Sequence, residues 1–522
     1  PADSFGPSIV GMEKWLDAPA GKHGSVRMRG KDLVYEDGTK AKFWGVNICN
    51  ARVAVPRRDA ERWARKLAKF GVNAVRFHKF TYHRKNRGLG AADVSTRVDE
   101  RAAQRFDYFV AQLHRRGIYT GWSHIYGHPP RPGDRDRLLA YDEVQDALDG
   151  HLRGSTVGLV NFAPDLQDLA IELTVNLLKR RNRYTRTRYA DDPALAYVEL
   201  QNEDDIFFPT AIKAVNACPT YRKLFCRQFS RWLRRKYGSQ EGLVKAWGRR
   251  ALNAYPEYQI DEHIDKGSVY PIAHFWYFSP QGLASQQKER GTRKRLLDTA
   301  RFLYETQDRF YRRYARAIRS TGYRGCIVGS CWQAGSGVSH FYNLHSDYRV
   351  GVIDRHNYYG GGSGHSLHTG ENANEAMVNR PGSGLLSTGF QQVSDRPFFL
   401  SEWISRMPNE WIAEGPPLIA AYGLGLQGWD ASFEFASNTP HHPSTINNPN
   451  VYSVDSPSQI LSYPALARMI YRGDLREGAV ISNRKLHVKS LAAGRIGFVE
   501  TVKQKGDQKA VEGDTPAAAL AA

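Results

Sequence analysis

The chain has 522 residues and a net charge of +20, from 73 basic and 53 acidic side chains; 41% of its residues are hydrophobic and 12% aromatic. That apolar content excludes a mainly disordered protein, and the length exceeds the ~250 residues of a single barrel domain, leaving room for long loops and accessory elements. The positive charge attracts polyanions, but the basic residues are scattered in small clusters such as Lys179-Arg180-Arg181 and Arg312-Arg313. With no basic tail and no RNA-binding aromatic signature, nucleic acid is not the expected partner.

Residues 1–40 open with short strand-like runs between Val26 and Asp37, ending in the turn Glu36-Asp37-Gly38. The apolar run Phe43 to Ile48 suits a first buried strand. Trp63, Leu67 and Phe70 recur at helical spacing from Arg58, and Gly71 stops that helix. Ala74 to Phe80 reads as a strand, 99–116 as a helix with Phe106, Phe109, Val110 and Leu113 on one face, and Ile118 to Tyr126 as a strand. Such units of about thirty residues mark repeated parallel βα units.

The alternation continues with a helix at Leu166 to Lys179 and a strand at Leu195 to Leu200, then a charged, aromatic and partly helical insertion over 206–295. A helix over 295–320 follows, with strands at Cys326 to Cys331, Val352 to His356 and Phe398 to Glu402. Pro417 to Leu426 reads as a helix, and Gly428 to Phe435 as the eighth strand. Eight such units predict an α/β fold, a (β/α)8 barrel over 41–460 with the N-terminal strands packed on it. No glycine fingerprint for a dinucleotide follows the first strand. Strands at Lys485 to Lys489 and Arg495 to Val502 predict a small β element over 461–505, and 506–522 reads as a flexible tail.

In a barrel, function sits at the C-terminal ends of the strands, and here those ends are polar. They read Arg76-Phe77-His78, His124-Ile125-Tyr126, Gln201-Asn202-Glu203, His356-Asn357-Tyr358 and Ser401-Glu402-Trp403, with Trp429 on the eighth strand. Hydrolysis of an acetal needs one protonated and one ionised carboxyl group. Glu203 and Glu402, on strands four and seven, face each other across such a mouth. Asn202 is placed to hold a sugar 2-hydroxyl, Arg76 and Tyr358 to donate to Glu402, and His356 to orient either acid. Trp403 and Trp429 offer flat faces to sugar rings.

These segments, with Phe43-Trp44-Gly45-Val46-Asn47, Gly71-Val72-Asn73-Ala74-Val75-Arg76 and Gly428-Trp429, resemble the clan A glycoside hydrolases and their family 5-like members in particular. They span residues 43 to 429. The resemblance implies a retaining glycosidase in which Glu203 is the acid/base and Glu402 the nucleophile. Asn202 stands beside the acid/base, and Arg76, His356 and Tyr358 support the pair. His78, His124 and Trp332 complete the expected substrate-binding set. The insertion after Glu203 departs from the family pattern and leaves the substrate open.

Other features read as structural. Cys49, Cys218, Cys226, Cys326 and Cys331 are too few for a disulfide scaffold; Cys218 and Cys226 could pair in an oxidising compartment, but buried thiols are the favoured reading. His441-His442 lacks a third metal ligand at convincing spacing, and no metal or cofactor is expected. The Gly-rich run Gly360 to Gly364 lacks a following Lys-Ser or Lys-Thr, so it reads as a lid and not a phosphate loop. No stretch approaches the ~20 apolar residues of a membrane span. The expected partner is a polysaccharide or oligosaccharide. The charge favours an acidic one, such as a sulfated galactan of the carrageenan or agar type. Neutral β-mannan, β-glucan or β-galactoside is the alternative, as is a carbohydrate-binding barrel without catalysis. A secreted or periplasmic enzyme is expected, its signal peptide outside this chain.

Overall fold

The structure, a computed structural model, describes residues 4–82, 88–331, 337–361, 365–367, 371–379, 384–442, 451–505 and 508–513. Eight parallel strands form its centre: β1 (Phe43–Cys49), β2 (Ala74–His78), β3 (Tyr119–Ser123), β4 (Leu195–Glu199), β5 (Cys326–Val328), β6 (Ile353–Tyr359), β7 (Phe398–Ser405) and β8 (Ala431–Glu434). They run β6-β7-β8-β1-β2-β3-β4-β5 around the sheet. A parallel bridge from Val328 to Val352 joins the two ends into a barrel. This is the predicted (β/α)8 fold, with strands in the predicted order.

The barrel interior is filled by aromatic rings that two glycines admit. A Cβ on Gly45 would lie 2.5 Å from the Phe433 ring, and one on Gly121 would lie 2.1 Å from the Tyr197 ring. Tyr197, Phe399 and Phe433 therefore meet edge to face at the axis, with centroids 5.3 and 5.7 Å apart. The N-terminal hairpin (Arg27–Arg29 with Asp32–Val34) closes this end, burying Leu33 with Phe43, Tyr119 and Val328.

Helices cover the outside. In the helix Arg57–Lys69, Ala60, Trp63, Ala64 and Leu67 are buried, an i, i+3, i+4, i+7 stripe facing the sheet. Asp99 caps the helix Glu100–His114 by accepting from the Ala102 amide at 2.8 Å. The insertion after β4 holds the helices Pro209–Ala217, Pro219–Tyr237, Gln240–Trp247 and Pro280–Arg290. It packs on the long helix Arg293–Ser320, with Phe225, Phe229 and Trp232 against Phe302. Among the described residues, no helix is long and apolar enough to cross a membrane.

The C-terminal region differs from expectation. Val488–Leu491 is a short helix where a strand was predicted, because alternation alone supplies no partner strand. The two strands that form are Glu500–Lys505 and Gln508–Gly513, paired antiparallel, so pairing extends into the predicted tail. Tertiary contacts hold this polar hairpin: Lys509 exchanges backbone hydrogen bonds with the Asn357 side chain, and the Val511 amide donates to Ser387. Residues 514–522 of that tail, and 362–364 of the glycine-rich run, lie outside the described residues.

Candidate active site

At the C-terminal ends of β2, β3, β4, β6 and β7 the inward side chains converge on Arg76. Its guanidinium is fully buried. Nη1 donates to Glu402 Oε1 at 2.7 Å and to Asn47 at 2.9 Å; Nη2 donates to Glu199 at 2.8 Å, Ser123 at 2.9 Å and Asn202 at 2.7 Å. Burial alone would disfavour the Arg76 charge, but Glu199 and Glu402 outweigh it and hold the group well above its usual range. Arg76 is thus a fixed cation that ties β2 to four other strands, β1, β3, β4 and β7.

Glu402 receives a second donor. The Tyr358 hydroxyl donates to Oε2 at 2.7 Å, while Arg76 holds Oε1. A bulge between β6 and β7 makes this possible. The register shifts after Arg355, so Ser401 is the extra residue and His356 stands opposite Glu402. His356 then meets Glu203 Oε1 through Nδ1 at 2.7 Å and Ser401 Oγ through Nε2 at 2.9 Å. The same Nδ1 is 3.6 Å from Glu402 Oε2. His78 closes the group on the other side, its Nδ1 3.5 Å from Glu402 Oε1.

Glu203 follows β4 with φ of +47°, a left-handed conformation that costs a non-glycine residue of order 1–3 kcal/mol. Backbone bonds hold it there. Its amide donates to the Ser330 carbonyl at 3.1 Å, and the Asn202 amide donates to Ile125. The Glu203 side chain remains 17% exposed against 5% for Glu402. One ligand atom each of Glu203, His356 and Glu402 lies within 4.8 Å of the others.

Burial holds His356 well below the usual imidazole range, helped by the charges of Arg76 and Lys509. His78 is lowered in the same way, by burial and then by Arg76 and Lys79. Both rings are therefore neutral near pH 7. The Glu203–His356–Glu402 cluster, and a second of Cys331, Asp354 and His356, have ligand spacing for a metal ion. In the first, Arg76 already sits on a Glu402 oxygen, and its charge opposes a second cation.

Of the predicted site residues, Arg76, His78, Asn202, Glu203, His356, Tyr358 and Glu402 come together. Three others do not. Trp403 follows Glu402 along the strand and so faces outward, fully buried, with its indole donating to Ser432 and its ring 6.4 Å from Trp44. His124 follows the inward Ser123 and also turns out, against Thr174 of the helix Pro164–Lys179 at 2.7 Å. Trp429 precedes β8 and packs on Phe398 at the start of β7, away from the mouth. Trp332 lies outside the described residues.

Several residues at the site were not predicted. Asn47 and Glu199 sit inward on fully buried strands, and a polar side chain in such a strand was the available signal. Phe435 follows β8 where an aromatic wall was expected of Trp429. Its ring lies 5.7 Å from His78 and 5.5 Å from Tyr452. Lys509 reaches in from the C-terminal hairpin and donates to the His356 carbonyl at 2.9 Å.

No protein-family model matches the chain, and no curated protein matches it in sequence. Solved structures do. A family 5 glycoside hydrolase, a mannosidase from Rhizomucor miehei, aligns over 86% of this chain and 99% of its own, at 11% identity and a TM-score of 0.50. A β-galactosidase from Bacillus circulans sp. alkalophilus aligns over 82% of this chain and 56% of its own, at 13% identity and a TM-score of 0.50. At these identities the likeness is one of fold: the chain shares the (β/α)8 architecture of these glycoside hydrolases.

Proposed function

We propose that this chain is a retaining glycoside hydrolase that cleaves β-glycosidic bonds, with Glu402 as nucleophile and Glu203 as acid/base. The observation that carries the reading is the approach of the two carboxylates, within 4.8 Å at their nearest atoms, with His356 between them. Retaining enzymes hold their carboxyl groups about 5–5.5 Å apart, whereas inverting ones leave about 6.5–9.5 Å for a water.

In the first step Glu402 attacks the anomeric carbon while Glu203 gives its proton to the departing oxygen. Arg76 and Tyr358, one on each Glu402 oxygen, aim the carboxylate and stabilise negative charge on it. In the second step the oxygen of a water attacks the anomeric carbon while Glu203 takes its proton, and the oxygen of Glu402 leaves the sugar. Glu203 must therefore hold a proton in one step and lack it in the other. Neutral His356 suits the first: with Nε2–H donating to Ser401, its Nδ1 accepts from protonated Glu203.

The substrate class rests on the +20 charge, which favours an anionic polysaccharide such as a sulfated galactan. The test is hydrolysis of a panel of neutral and sulfated polysaccharides by wild type, Glu203→Gln and Glu402→Gln. Cleavage lost in both folded variants, strongest on a sulfated polymer and weakened by salt, supports the reading. Variants as active as wild type would remove the catalytic assignment, and equal activity on neutral polymers would remove the anionic substrate. Binding without cleavage by wild type would favour a carbohydrate-binding barrel.

A further inference from the structure

The insertion after β4 contains a run of consecutive rings, His274-Phe275-Trp276-Tyr277-Phe278. Its inner end is anchored. Phe278 is fully buried, and its ring meets Phe207, four residues beyond Glu203, edge-on at 6.0 Å. The Phe278 carbonyl also lies against Gly337, which caps the helix after β5; a Cβ there would be 2.5 Å from that oxygen. The chain leaves β4 and β5 on the C-terminal face of such a barrel, so the run is fastened to that face through Phe207 of the segment that follows Glu203.

Its outer end opens to solvent. Trp276 is 41% exposed, although its carbonyl is held by the Ser279 amide and hydroxyl. Half-buried His274 and Phe275 stack with centroids 5.2 Å and planes 14° apart. Tyr277 supports them from within, 4.9 Å from His274 and 5.9 Å from Tyr255. The segment carries no carboxylate, ammonium or guanidinium group from Pro271 to Pro280.

We propose that His274, Phe275 and Trp276 form a stacking platform for the sugar rings on the leaving-group side of the cleaved bond. The inference rests on the glycosidase reading above. An acid delivers its proton to the departing oxygen, so the polymer beyond that bond runs past Glu203, where the β4 and β5 loops form the wall. The C–H face of a pyranose is apolar and lies against an indole or phenyl face, excluding water from both. A platform without charge reads the ring face and not its sulfates, so its contribution does not fall with salt.

The test compares wild type, Trp276→Ala and Trp276→Phe on hexasaccharides of agarose, carrageenan and β-1,4-mannan, and on the matching monoglycosyl fluorides. Trp276→Ala raises KM for the cleaved hexasaccharide roughly ten-fold with kcat nearly unchanged, and the Phe variant restores most of the loss. The monoglycosyl fluoride, whose leaving group has no ring, shows no change. An unchanged hexasaccharide KM, or an equal loss on the monoglycosyl fluoride, overturns the platform while leaving the glycosidase reading intact. Wild type inactive on every substrate overturns both.

Discussion

Replacing Tyr358 by Phe removes one hydroxyl from Glu402, the proposed nucleophile, and little else. The hydroxyl donates to Glu402 Oε2 at 2.7 Å in a site where Glu402 is 5% exposed, and the ring packs on Phe435 and Tyr452 at 6.2 and 5.3 Å, contacts that Phe keeps. A hydrogen bond to a charged group contributes about 1.5–3 kcal/mol. Its effect differs between the two steps. During attack Glu402 loses charge, so the bond weakens towards the transition state and its removal costs little there. During hydrolysis of the glycosyl-enzyme the carboxylate regains charge, and the bond strengthens. The variant therefore slows the second step by about ten- to 150-fold, from the same 1.5–3 kcal/mol at about 1.36 kcal/mol per decade. Steady-state kinetics on an aryl glycoside with a good leaving group should show kcat and KM falling together while kcat/KM stays within a few-fold. A pre-steady-state burst of phenol should appear. A fall in kcat/KM without a burst would refute the assignment of Tyr358 to the departing carboxylate.

Three further outcomes follow from the packing. Burial lowers His124 to about 3 and His128 to about 4, so both are neutral in the folded protein while the unfolded chain takes up protons below pH ~6.5. Folded-state affinity for the proton is the weaker, so each contributes stability that is present above pH ~6.5 and is lost on acidification, at up to about 1.4 kcal/mol per pH unit. Urea midpoints measured from pH 7 to pH 4.5 should fall less steeply for His128→Asn than for wild type; an unchanged slope would contradict the buried neutral ring. Trp429→Ala removes a fully buried ring away from the mouth and should cost about 3–5 kcal/mol with KM unaltered, whereas Phe435→Ala, beside His78 and Tyr358, should raise KM. Reversal of those two responses in denaturation and kinetics would return Trp429 to the site. Gly121→Ala places a methyl 2.1 Å from the Tyr197 ring and should destabilise by about 1–3 kcal/mol or more, read as a lower Tm.

The barrel was legible because each strand is a short buried run bounded by a helix stop or a turn, as Phe43–Cys49 and Ala74–His78 are. The proposed catalytic pair was picked out because charged residues end strands that are otherwise apolar. What strand position alone does not give is facing. Glu402 and Trp403 are neighbours, and the two-residue period of a strand sends them to opposite sides; the same rule separates Ser123 from His124. Applied to β4, it would have brought Glu199 to Arg76. The β6–β7 bulge was beyond that rule, since Ser401 differs from its neighbours only in register. The second strand of the C-terminal hairpin, Gln508–Gly513, was also hidden. Its residues are polar, and what orders them is contact with Asn357 and Ser387, more than a hundred residues earlier.

Double displacement by Glu402 and Glu203, whose nearest atoms lie within 4.8 Å, fixes which anomer is released. Proton NMR of the cleavage reaction tests it directly, by following the anomeric signal of the new reducing end before mutarotation. Double displacement gives the β-anomer first from a β-linked substrate. An α-anomer formed first would mean a single displacement by water, for which this pair leaves no room, and would contradict the mechanism.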